Sequence, residues 1–181
     1  MITPESAHKT MRRWVEDVII GLNLCPWAKP VYERGGLHFT VSDVASPERV
    51  IVIFLQELEL LLITPGREST LLALPNWIIS FELFNDVVGM LEDELERMQL
   101  ASNIQVVPFH PGFVFADTSP ESKGNWVNRS PFPIIHFLQV EDVQQATQGN
   151  IALAEGLSLR NDRLLSGMRE ASLRRLFPYL F

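Results

Sequence analysis

Apolar residues recur at helical spacing near the start of the chain: Met11, Trp14, Val15, Val18, Ile19 and Leu22 share one face. Thr3-Pro4-Glu5 supplies the start, with a hydroxyl cap, a proline in the first turn and an acid beside it. The helix is predicted over residues 4–23, because Pro26 follows closely. From Gly36 to Ser42 the period changes to two, with Leu37, Phe39 and Val41 alternating against His38 and Thr40, as in a strand. Ser46-Pro47-Glu48 repeats the helix-start chemistry. Behind it, Val50 to Ile63 carries a β-branched run, but the cap and the Glu57–Glu59 interruption favour a buried helix that ends at Pro65-Gly66. Thr70 to Leu74 is a continuous apolar strand, of the kind buried on both faces. Phe81 to Leu100 is the clearest helix, with Phe81, Phe84, Val88, Leu91, Leu95 and Met98 on one side. Ile104 to Phe109 and Pro133 to Leu138 read as strands, and helices are predicted over Glu141 to Gln148 and Asn161 to Leu176.

This order predicts an α/β (α+β) fold in which a mixed four-stranded sheet is covered by helices. By analogy, the order after the first helix suits a thioredoxin-like topology. A single domain over 1–181 is expected: an N-terminal helix at 4–23, the sheet and crossover helices over 36–139, and C-terminal helices over 141–177.

Hydrophobic residues are 46% of the chain and charged residues 20%, so a large core forms and apolar surface remains for a homo-oligomer contact. The net charge of −7, with only 15 Lys and Arg and no basic run, argues against nucleic acid and acidic membrane surfaces as partners. The longest apolar run, Val50 to Leu55, is far short of a membrane span. One cysteine, Cys25, excludes an internal disulfide, and no leader pattern opens the sequence, so a cytoplasmic location is expected.

The loop from Pro111 to Ser130 holds Phe113, Phe115 and Trp126, which favour order, and leaves through the stiff Pro131 and Pro133. Arg129, with Asn125, Asn128 and Ser130 around it, forms a candidate cradle for a small anionic metabolite. The same residues equally suit structural use: Arg129 paired with an acid such as Asp117, and the asparagines capping turns. His110, at a strand end, is a candidate base, or else a half-buried ring that ties the loop to the sheet. His136 shares a strand face with Ile134 and Leu138 and reads as a satisfied core histidine; His8 and His38 read as surface positions. Cys25 follows a helix whose negative end opposes thiolate, so a buried, inert thiol is expected; a Cys25–His110 nucleophile and base, as in a hydrolase or transferase, is the rival. The third reading is a protein-interaction module using the apolar tail Leu176 to Phe181, unless that tail docks on its own core. No known metal-ligand spacing, phosphate loop or cofactor motif is present; a site from Cys25, His110, Asp117 and His136 would need tertiary contact.

Three stretches, GLNLCPWAKPV (Gly21 to Val31), STLLALP (Ser69 to Pro75) and VPFHPGFVFADTSPESKGNWVNRSPFPIIHFL (Val107 to Leu138), resemble domain-of-unknown-function family 1415, a set of bacterial proteins. Arg160-Asn161 also fits that family's tail, and the resemblance covers most of the chain. Trp27, Asp117 and Gln139 stand where the family commonly has Phe, Gly and Arg. The resemblance implies no activity.

Overall fold

The structure, a computed structural model, describes residues 1–140 and 151–181. Helix α1 spans Pro4–Trp14, and the Thr3 hydroxyl accepts from the amide of Ser6, as its sequence predicts. The helix does not run unchanged to residue 23. Val15–Ile20 is a π-helical segment, and the amides of Gly21 and Leu24 bond back five residues, to the carbonyls of Glu16 and Ile19. Gly21 is required there: a Cβ on it would stand 2.4 Å from the Asp17 carbonyl oxygen. Asn23, at φ 52°, then takes the left-handed turn that an Asn tolerates.

A short helix that the sequence pattern did not announce, α2, occupies Ala28–Glu33. Strand β1 is Leu37–Val41, helix α3 Pro47–Ile63, strand β2 Ser69–Ala73, helix α4 Phe81–Arg97, strand β3 Ile104–Phe109 and strand β4 Ile134–Gln139. A 3₁₀ turn at Lys123–Asn128 breaks the long loop. Helices α5, Ile151–Gly167, and α6, Glu170–Leu176, follow. The helix expected over 161–176 is therefore two, because Arg169 leaves helical geometry with ψ 141°. The helix expected over 141–148 lies outside the described residues.

The four strands form one mixed sheet in the order β1-β2-β4-β3. β1 and β2 are parallel, while β4 runs antiparallel to both β2 and β3. α3 and α4 supply the long crossovers that parallel strands need. Strand number and crossovers fit the thioredoxin analogy, but β1 here is an edge strand, so the analogy does not extend to strand order.

The period of two splits the strand residues between two cores. Leu72, Ile135 and Phe137 pack under α3 and α4 with Phe54, Leu58, Phe84 and Leu91. Leu71, Ala73 and Ile134 face α1, the π segment and the C-terminal helices, through Met11, Trp14, Val18, Leu165 and Phe177. No described helix is long and apolar enough to cross a membrane.

Candidate functional site

The Pro111–Ser130 loop is ordered by its own polar atoms. Asn125 is fully buried; its Oδ1 accepts from the Phe115 amide (2.9 Å) and the Thr118 hydroxyl (2.8 Å), and its Nδ2 donates to the Ser119 carbonyl (2.8 Å). Arg129 donates to the carbonyls of Phe113 and Pro120, at 3.1 and 2.7 Å. Ser130 donates to the Phe132 carbonyl, and Asn128 donates to that of Pro108. All four candidate anion ligands thus bind the protein's own backbone. Phe113 is buried, Phe115 leans on it with ring centroids 4.7 Å apart, and Trp126 packs on Phe177. Asp117 stands at φ 61°, and no ion pair joins it to Arg129 among the described contacts.

His110 is buried against Phe81 and Phe84. Its Nδ1 accepts from the Gly112 amide, 3.0 Å away, so Nε2 carries the proton and donates to the Ile79 carbonyl at 3.1 Å. Both nitrogens are engaged, and burial pulls the pKa down, so the ring is neutral. It joins the loop to the segment before α4.

Cys25 lies elsewhere. It lines a cavity of about 300 Å³ on the opposite face of the sheet, and His110 is not among the residues around that cavity. The floor comes from all four strands: Leu37, Leu71, Gln105, Val107, His136 and Leu138. The roof is Val15 and Ile19 of the π segment, then Leu24, Cys25, Trp27 and Val31. Asn128 and the ion-paired Arg34 and Glu68 supply polar groups to its wall. Native cores leave few voids larger than a water molecule, whereas ligand pockets begin near this volume. A π segment at its edge agrees with the frequent placement of such turns at functional sites.

His136 sits mid-floor, in register with Leu71 on one side and Val107 on the other. The strand face matches the alternation read from the sequence, but the ring is not satisfied. Its Nε2 is shielded from solvent and has no hydrogen-bond partner among the described residues, and burial pushes the pKa down to about 4. A buried polar atom left in this way calls for an explanation.

At Cys25 the backbone amides of Trp27 and Ala28, at the start of α2, pull the thiol pKa down. Burial outweighs them and raises it, so the resting group is a thiol. The roof is held from α5: Asn161 Nδ2 donates to the Leu24 carbonyl at 2.9 Å, and Arg160 to that of Asn23 at 2.8 Å.

A model of proteins of unknown function, DUF1415, matches residues 6–175. The chain belongs to this family. The matched span of this DUF1415 protein contains every residue of the cavity and of the long loop. Comparison with curated proteins gave no match, and comparison with solved structures gave none.

A second, more open hollow lies beside β1, lined by His8, Arg12, Tyr32, Glu33, His38 and Phe39 among others. His8 and His38 are half-buried there rather than fully on the surface. Arg12 and Tyr32 are already engaged: Arg12 donates to the Tyr32 hydroxyl, which donates to Glu16. Among the described residues no cluster of His, Cys, Asp and Glu is arranged to hold a metal ion.

Proposed function

We infer that this protein binds a small, mainly apolar, uncharged molecule in the cavity between the sheet and the Cys25 loop, with His136 in its floor. A chamber of about 300 Å³ lined mainly by apolar side chains, its Arg34 already paired with Glu68, carries this reading. A ring with so low a pKa is neutral near pH 7, so the floor of the chamber presents no positive charge to an anion. The alternative of an anionic metabolite on the long loop has less support, because Asn125, Arg129 and Ser130 already donate to carbonyls.

Thermal unfolding in the presence of p-cresol and of toluene tests the inference. Ligands that bind the folded state alone raise the melting temperature with concentration. Both should do so. If neither compound shifts wild type, the cavity is not a binding site.

A further inference from the structure

We propose that residues 25–36, built around α2, form a lid over the cavity, latched by the Arg34–Glu68 ion pair. The proposal rests on the binding reading above and adds the route by which an apolar ligand enters. α2 roofs the chamber with Ala28 and Val31, and with Trp27 at its N-cap, yet none of its residues is buried. The floor is the opposite case, since Leu71 on β2 is fully packed from below and in the sheet. An amphipathic helix is normally held by its apolar face on a core. Here that face meets the void, so little apolar burial holds α2 down, which is the mark of a segment that opens at low cost.

The two ends of the segment are held differently. Asn23, at φ 52°, precedes it and Gly35, at φ 79°, lies near its other end, the kind of terminal positions that absorb a hinge motion. On the Asn23 side, Asn161 and Arg160 fix the carbonyls of Leu24 and Asn23. On the Gly35 side the hold is an ion pair: Arg34 Nε donates to Glu68 Oε1 at 2.6 Å, and a second guanidinium nitrogen donates to Oε2. A Cβ at position 36 would stand 2.4 Å from that Oε1, so Gly36 makes room for the latch. Arg34 is half-exposed, and an ion pair so open to water is weak. The Tyr32 bonds to Arg12 and Glu16, in the middle of the segment, are exposed as well. Arg34, Glu68 and the exposed Gln105 edge the chamber, so release of the latch opens it there without breaking the sheet. An apolar ligand inside gives Trp27 and Val31 a surface to pack on, and so favours the closed state.

Hydrogen exchange of the full chain, read by peptide mass spectrometry with and without saturating toluene, tests this. Without toluene, residues 28–36 should exchange about tenfold or more faster than the core helix α4, each relative to its unfolded-chain rate. Glu68→Gln keeps the shape of the side chain and removes its charge. It should speed exchange over 28–36 by a further two- to fivefold or so and leave α4 unchanged. Toluene should slow exchange over 28–36 in both proteins. Exchange there as slow as in α4, no effect of Glu68→Gln on it, or an effect spread evenly over the chain overturns the proposal. A toluene thermal shift without slower exchange over 28–36 sinks the lid alone; absence of both sinks the binding reading, and the lid with it.

Discussion

Asn161 Nδ2 donates to the backbone carbonyl of Leu24 across 2.9 Å, so a side chain of α5 fixes the residue before Cys25. Asn161 is buried, and its Oδ1 accepts from Arg160 at 2.9 Å. Asn161→Leu leaves the Leu24 carbonyl without that donor, a loss on the order of 1–3 kcal/mol. Urea unfolding should show that loss. Alkylation of Cys25 by iodoacetamide should also speed up in the native variant, because the roof is less firmly held. An unchanged alkylation rate would mean that the roof is positioned by packing alone.

Asn125 plays the same part in the long loop. Three hydrogen bonds converge on one fully buried amide. Asn125→Ala leaves the Phe115 amide and the Ser119 carbonyl unpaired and should destabilise by about 2–4 kcal/mol. Limited proteolysis should cut first between residues 111 and 130. Arg129→Ala should loosen the same segment by a smaller amount, since its side chain is only half-buried.

Stability should fall on mild acidification. The His136 pKa drops from 6.5 to about 4 on folding. Between those values the unfolded chain binds more protons than the folded one, so stability is complete above pH 6.5 and is lost progressively as pH falls toward 4. The shift corresponds to about 3 kcal/mol. Burial of His110 acts in the same direction, partly opposed by the Ile79 carbonyl and Glu82. Urea unfolding at pH 7 and pH 4.5 should show His136→Phe losing about 2–3 kcal/mol less than wild type. Equal losses would mean that His136 reaches solvent in the folded state.

The elements were legible where the chain obeys a single period. Thr3-Pro4-Glu5 opened α1, and Ser80 caps α4 through the Leu83 amide. The π turn was not legible, because Val15, Val18 and Ile19 suit an α-helix equally well. Its trace lay in Gly21 followed by Asn23, the two residues that tolerate the close approach and the positive φ. α2 was missed because Pro26 read as a breaker; Pro30, inside α2, falls in its first turn, where a missing N–H costs nothing. For the site, alternation placed His136 on the correct strand face. The neighbours that make that face a cavity are far away in sequence, and nothing local in Ile135-His136-Phe137 tells a satisfied ring from an orphaned one. Arg160 and Asn161 stood out only through the family resemblance; their carbonyl partners lie 137 residues away.

The C-terminal tail is part of the core. Phe177 is fully buried, edge-on to Trp126 at 5.2 Å, and the Tyr179 hydroxyl donates to the Arg129 carbonyl at 3.1 Å. Phe181 also meets Trp126, and the Arg174 guanidinium lies over the Phe181 ring. A tail used in this way closes the 3₁₀ turn of the long loop, which carries Trp126 and Asn128, against α6. Phe177→Ala should cost about 3–5 kcal/mol, the usual range for emptying a buried phenylalanine site. Tyr179→Phe should cost about 1 kcal/mol, for one hydrogen bond. Deleting residues 177–181 should exceed either loss and raise proteolysis within 111–130, because Trp126 loses both aromatic neighbours at once. Urea titrations read the first two variants, and peptide mapping reads the third. A deletion that unfolds at the wild-type urea midpoint would show that the tail lies on a finished core and is free to serve an outside partner instead.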